Sequence, residues 1–375
     1  MSTQKHWRCS RHRASRAAGF TLIELLVVVA IIALLMSILL PSLRAAREQA
    51  RAVVCGQKLR DLGAGMGTYF AENKDFIPGC NTSGFIIRAT YGIGGADFGN
   101  RSKVPVQTYD WLTPILTRST QMPTMRVDRF REILNTFHCP SQATYRSSVY
   151  NANNYPDKSS FVNADANWIA CSYLMPAHFQ YWGTAPNRVP PILGSHELNN
   201  NAMLPALMVD PDWEACHPTF RSMLAQVGSP SQKIAAADGT RFVTESGLID
   251  FDPDPKPDFF GAFTTSGAWW ASSREYGVPT NTRNWNDRSV TTDTPNQNGA
   301  NLDASYRHGT SRGAGLGGNA RKNRGMINAL FFDGSVRRLD DRQSRDPVLW
   351  YPKGAVVNHA EEGMLDVLLN GDKIP

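Results

Sequence analysis

The sequence predicts an α+β protein, a long N-terminal transmembrane helix packed on a mainly antiparallel β head. Three observations lead there. A single unbroken apolar run of 21 residues, Phe20–Leu40, is interrupted only by Thr21, Glu24 and Ser37, and at 1.5 Å per residue it spans roughly 31 Å, one bilayer core. Beyond it, apolar residues continue at helical spacing to about residue 70. The rest, with most of the 30 glycines and 23 prolines and a charged fraction of only 19%, reads as a loop-rich body with short strands. At 42% hydrophobic residues the 375-residue chain can fill a core, which excludes wholesale disorder.

The first nineteen residues carry Lys5, Arg8, Arg11, Arg13 and Arg16 and no acid, so without them the net charge of +6 falls to +1. The basic balance belongs to a short leader and does not spread over the body, so nucleic acid is not an expected partner. Cations ahead of the run favour a cytoplasmic N-terminus. A secretory signal would carry a small-x-small site after its apolar region, where this chain has Pro41-Ser42-Leu43-Arg44. A plain anchor gives no reason for Glu24, since an uncompensated carboxylate in a membrane segment costs a few kcal/mol. Thr21 could cap the helix start, but simple tolerance of a hydroxyl near a helix end is the preferred reading.

Pro41 is expected to kink or locally melt the helix. Past it, Cys55, Leu59, Leu62, Met66 and Tyr69 recur at spacings of four, three, four and three and share one face, a packing stripe. Gly63, Gly65 and Gly67 lower helix propensity and mark its end. The division is therefore 1–19 leader, 20–70 helix (20–40 transmembrane, 41–70 amphipathic), and 71–375 one extracytoplasmic head with long loops. Within the head, Ile234–Val243 and Ile327–Leu339 each place Asp-Gly between strand-like segments and read as β-hairpins with two-residue turns. Asp252–Asp258 alternates Asp with Pro and reads as an extended loop, and 281–301 as a polar one.

Gly19-Phe20-Thr21-Leu22-Ile23-Glu24 followed by a Leu/Val/Ile run closely resembles the processing site of type IV prepilins and type II secretion pseudopilins. The resemblance implies cleavage after Gly19 by prepilin peptidase and N-methylation of Phe20, leaving the apolar run on the mature chain. It implies that Glu24 pairs with the new N-terminus of a neighbouring subunit, an ion pair that relieves a buried charge, and it makes Pro41 a family position. The partners implied are the peptidase, other pilin or pseudopilin subunits, and the membrane. The expected place is the inner membrane, single-pass, with the head on the periplasmic side.

The head resembles a large-headed subset of that family. The segments Trp111–Leu116, Phe137-His138-Cys139-Pro140-Ser141, Ser172–Pro176 and His308–Val336 carry the likeness, with Cys139, Pro140, Ser141, His308, Asn328, Asp333 and Gly334 as the motif positions. This chain departs from the subset's short spacer, since 24 residues lie between His308 and Asp333.

Other constellations lack context. Gly313–Gly318 matches G-x-G-x-x-G but has no strand before it or helix after it. Arg312, Arg321, Lys322 and Arg324 make the same loop basic. Cys80, Cys139, Cys171 and Cys216 allow up to two disulfides, in three connectivities. With no C-x-x-C, and only adjacent His138-Cys139 and Cys216-His217 pairs, a structural zinc lacks its usual spacing. Ser195-His196-Glu197 and His178 supply hydrolase residue types without an elbow or zinc motif. Asp333, Asp340, Asp341 and Asp346 are carboxylates that some pseudopilin heads would give to Ca²⁺, but they lack a spaced ligand loop. No cofactor and no enzyme activity are expected. The reading is a subunit of a pilus or pseudopilus filament, foremost of a type II secretion-like apparatus, and of minor or tip-like type given its large head. The competing reading is an anchored adhesin whose head binds DNA, polysaccharide or a surface partner.

Overall fold

The computed structural model describes residues 21–78, 110–119, 121–141, 149–150, 172–180, 215–217, 219–239, 249–250, 264–265, 308–309, 325–340, 342–357 and 368–375. It divides into two compact units, 1–47 and 48–375. Gly19 and Phe20, the loop of Gly313–Gly318, the Ser195–Glu197 and Asp252–Asp258 segments, Cys80, Cys171 and Asp341 lie outside the described residues.

Helix α1 runs from Leu22 to Glu72. It opens on a reciprocal cap: the Thr21 backbone N–H and hydroxyl both donate to Glu24 Oε2 at 2.8 Å, and the Glu24 N–H donates back to Thr21 Oγ1 at 3.2 Å. This is a capping box, which satisfies donors that an α-helix start leaves over. In the first unit the apolar side chains from Leu22 to Leu43 are exposed. Among the described residues α1 is the one helix long and apolar enough to cross a membrane, and none of that window is buried.

Along α1, neither the local melting allowed for at Pro41 nor the helix end assigned to the glycines is seen. Pro41 lies inside the helix, which continues on both sides of it. Local melting is absent because a proline withdraws only one backbone donor while the flanking turns keep theirs. Gly63, Gly65 and Gly67 do not end the helix either. Gly63 and Gly65 let it approach the head closely: a methyl group at Gly63 would fall 2.7 Å from Leu330 Cδ1, and one at Gly65 3.4 Å from the Ile115 carbonyl oxygen. The packing stripe is buried throughout, with Cys55, Leu59, Leu62 and Tyr69 at 0% exposure.

Two short helices, α2 (Leu112–Ser119) and α3 (Arg126–Thr136), join this core. Asp110 caps α2 by accepting from the Thr113 N–H at 2.9 Å. Lys58 of α1 donates to the Thr136 and His138 carbonyls at 2.8 and 2.9 Å, occupying acceptors that the C-terminal end of α3 leaves open.

The strands are β1 (Val149–Tyr150), β2 (Tyr173–Pro176), β3 (Ala215–Cys216), β4 (Ile234–Asp238), β5 (Ile249–Asp250), β6 (Thr264–Thr265), β7 (His308–Gly309), β8 (Gly325–Phe331), β9 (Val336–Asp340) and β10 (Val356–Val357). Six of them form the main sheet in the order β6-β2-β4-β8-β7, with β9 also on β8. All pairs in it are antiparallel except β2 with β6. Met326 pairs with both Asp340 of β9 and His308 of β7, and Ala329 with both Arg337 of β9 and Ala237 of β4. A strand has two edges, so β4 and β7 share the edge of β8 that β9 does not use, one after the other. That register sets the end of β4 beside the start of β7.

Both sheet faces are covered. Leu330, Ala235, Ala236, Tyr173 and Leu174 belong to the cluster that includes α1, α2 and α3. Ile327, Ala329 and Phe331 pack on the other face against Trp350, Tyr351 and Val357, the period-two alternation of a strand.

The hairpin of β8 and β9 has a three-residue loop, not a two-residue one. The Phe331 N–H donates to the Ser335 carbonyl at 2.8 Å and the Gly334 N–H to the Phe331 carbonyl at 2.9 Å. Gly334 takes φ +82°, the left-handed position that closes such a loop with a bulge. Asp333 Oδ1 accepts from the Ser335 N–H and hydroxyl, holding the turn. The Asp238-Gly239 expectation fails differently: Asp238 is the fully buried last residue of β4, paired with Tyr173 in mid-sheet.

Candidate functional site

The junction of β4 and β7 faces α1 and collects four buried side chains: Cys55, Cys139, Asp238 and His308. Their ligand atoms all lie within 4.8 Å of one another. Each arrives by a different route. Cys55 projects from the buried face of α1, and Cys139 follows the C-terminal end of α3. Asp238 ends β4 and His308 begins β7.

The contacts are specific. The Cys55 thiol donates to Asp238 Oδ1 at 2.9 Å, and His308 Nε2 lies 3.2 Å from Asp238 Oδ2 and 3.5 Å from the Cys139 sulfur. The other ring nitrogen, Nδ1, is 3.1 Å from Glu48 Oε1. Surrounding groups complete the set. The Asn328 N–H donates to Asp238 Oδ2 at 2.7 Å, and the Asn328 side-chain amide to the Ala52 carbonyl at 3.3 Å. The Tyr173 hydroxyl donates to the Cys55 sulfur at 3.4 Å. Ser141 gives its N–H to the Cys139 sulfur at 3.4 Å and its hydroxyl to Glu48 Oε1 at 2.8 Å.

Burial lowers the basicity of His308, but the charge and hydrogen bond of Asp238, with Cys139 and Glu48 assisting, push its pKa up to about 11. With no metal bound it is an imidazolium held between two carboxylates. Burial raises Glu48, yet the hydrogen bonds of His308 and Ser141 and the charges of His308 and Arg51 hold it below its ordinary value. Burial, with Cys139 and Asp238 nearby, pushes the Cys55 thiol well up. Among the described residues this is the one group of three or more side chains able to hold a metal ion.

The structure brings Cys139, Ser141, His308 and Asn328 of the motif positions into this site. Pro140 sits between Cys139 and Ser141 in the turn after α3, whereas Asp333 and Gly334 shape the β8–β9 turn. Asp340 accepts from the Gln343 N–H and Asp346 from the Val348 N–H, so both carboxylates serve local turns. Sequence reasoning placed Cys55 only in a packing stripe, took Asp238 for a turn residue and did not single out Glu48. The available signal was a carboxylate closing the apolar run Ile234-Ala235-Ala236-Ala237, in register with a lone Asn328 inside Ile327–Phe332.

Comparison with known proteins bears on the N-terminus. The prokaryotic N-terminal methylation motif matches residues 14–40. The type IV wide pilus major component PilA4 of Thermus thermophilus is 45% identical over 60 residues, which cover 16% of this chain and 46% of that protein. The chain thus aligns with less than half the length of that curated relative. No solved structure matches. The apolar start of α1, long enough to cross a membrane once, begins within the matched motif. Over its N-terminal methylation motif and the aligned start of its long apolar helix, the chain is similar to type IV pilins.

Proposed function

We propose that this chain is a minor subunit of a type IV pilus-like filament. In this reading prepilin peptidase cleaves between Gly19 and Phe20 and methylates Phe20, on the cytoplasmic side of the inner membrane. The helix then keeps the subunit in the bilayer, with the head on the far side, until assembly draws it into the filament. The observation that carries the reading is Glu24, a carboxylate in the first turn of an apolar helix, directly after the methylation motif. In the isolated chain it turns back onto Thr21 and the helix start. In lipid this cap offsets only part of the cost of a charge in a membrane segment. A neighbour's N-terminal ammonium offsets more, so assembly is selected over lateral drift.

The minor role rests on size. The aligned 60 residues are 16% of this chain and 46% of its pilus relative, which makes the relative about a third as long. A head this large suits a subunit present in few copies better than one packed by the thousand. The relative's role in a pilus supports a pilus over a secretion pseudopilus.

The reading is tested by Glu24→Ala in cells with an active peptidase. Normal cleavage with loss of the chain from sheared filaments is expected. Unimpaired incorporation of the variant would remove the role assigned to Glu24.

A further inference from the structure

We propose that Cys55, Cys139, Asp238 and His308 form a structural zinc site that staples the head half of α1 to the sheet. A zinc ion bound tetrahedrally at 2.0–2.3 Å sets neighbouring ligand atoms roughly 3.3 to 3.8 Å apart. The contacts here, 2.9 Å from Cys55 to Asp238, 3.2 Å from Asp238 to His308 and 3.5 Å from His308 to Cys139, lie inside or just below that range, and all four ligand atoms lie within 4.8 Å of one another. Two sulfurs, an imidazole and a carboxylate form a donor set suited to a borderline-soft d¹⁰ cation and unsuited to Ca²⁺ or Mg²⁺. Four buried protein ligands leave no open position, which makes the site structural and not catalytic.

The surrounding hydrogen bonds carry the argument further, because every candidate ligand has its own orienting partner. His308 Nδ1 faces Glu48, the carboxylate–histidine arrangement that fixes the tautomer and leaves Nε2 for the metal. Asp238 is held by the Asn328 N–H, Cys139 by the Ser141 N–H and Cys55 by the Tyr173 hydroxyl. N–H and O–H donors aimed at both sulfurs stabilise thiolates. On binding, the protons of the two thiols and the Nε2 proton of the imidazolium leave to solvent. The bound set of Zn²⁺, two thiolates, Asp⁻ and neutral imidazole carries one negative charge, and Lys58, whose ammonium feels Cys139 and Cys55, offsets it.

The four ligands lie far apart in sequence, so binding closes long loops and fastens three layers at one point: helix, post-α3 turn and sheet. Elemental analysis of the full-length protein, extracted in detergent without chelator, tests the site. A zinc-to-protein ratio of about one is expected, retained on dialysis and released by titration with a mercurial. Cys139→Ser and His308→Gln should abolish retention. Glu48→Gln, which leaves all four ligands in place, should weaken affinity about 10- to 100-fold while preserving the stoichiometry.

Should the ligand variants fail to fold, Co²⁺ added to metal-stripped, reduced wild type gives the readout. A thiolate-to-cobalt charge-transfer band with a tetrahedral d–d envelope supports the site. A cobalt spectrum without thiolate charge transfer overturns it. Folded wild type that neither holds nor takes up zinc also overturns it, leaving an imidazolium between two carboxylates. An intact mass two hydrogens short, with Cys55 and Cys139 in one cross-linked peptide pair, overturns it in favour of a disulfide.

Discussion

His308 Nδ1 lies 3.1 Å from Glu48 Oε1 across 260 positions of sequence. It joins a two-residue strand to the first helical turn of the second unit. His308 is fully buried and the Glu48 side chain is 27% exposed, so the pair sits where solvent only partly screens it. Glu48 also takes the Ser141 hydroxyl, and the same carboxylate thus gathers the turn after α3.

A double-mutant cycle measures this link. Glu48→Gln and His308→Gln should each lower the unfolding free energy, and their coupling should fall within about 0.5–3 kcal/mol, the range of residues sharing one polar network. Denaturant unfolding of the full-length protein in detergent provides the values. Coupling within error of zero would show that the contact contributes no stability.

The glycines of α1 separate into two kinds. At Gly67 no atom lies within 4 Å of an added methyl, whereas at Gly63 Leu330 Cδ1 lies 2.7 Å away. Gly67→Ala should therefore stabilise the protein by about 0.5–1 kcal/mol through helix propensity alone. Gly63→Val should destabilise it by about 1–3 kcal/mol by overpacking the core against Leu330. Thermal unfolding of the two variants should shift in opposite directions.

Leu62 stands at 0% exposure in the cluster that α1 shares with the sheet. Leu62→Ala should cost about 2–5 kcal/mol, removed packing plus the cavity left behind. Leu26→Ala, on the exposed part of α1 in the first unit, should leave the unfolding of the head unchanged. Chemical denaturation monitored by tryptophan fluorescence distinguishes the two.

Lys233 carries the sharpest pH prediction. It is buried and donates to the Val348 carbonyl at 2.8 Å. Burial lowers its pKa to about 8, with Asp346 opposing. An unfolded lysine keeps its proton to about pH 10.4. Between the two values Lys233 binds more protons in the unfolded chain, so its own contribution to stability rises as pH increases from about 8 to 10.4. Over the same interval it is opposed by His308, which keeps its proton in the folded chain to about pH 11. The difference between wild type and Lys233→Met isolates the lysine. The rise should be of the order of 1–3 kcal/mol and should vanish in Lys233→Met. Unfolding curves across that interval check it.

What the sequence disclosed divides by range of interaction. The apolar run, the Cys55–Tyr69 stripe and the β8–β9 hairpin are written in local spacing, and periodicity finds them. Gly63 and Gly65 misled because propensity describes an isolated helix, while here Leu330 of the sheet and Ile115 of α2 pack on the backbone that these glycines expose. Asp238-Gly239 misled because the same dipeptide serves a turn or a buried strand end, and only pairing with Tyr173 decides. The site stayed hidden for the same reason. Its members come from four elements, and the register that aligns β4 and β7 on one edge of β8 leaves no mark in any short window.

The central claim is that this chain matures as a prepilin. Intact mass of the membrane-extracted protein, with sequencing of its N-terminus, tests it most directly. The account predicts a chain beginning at N-methylated Phe20, with residues 1–19 removed. A chain still carrying the leader in cells with an active prepilin peptidase would contradict it.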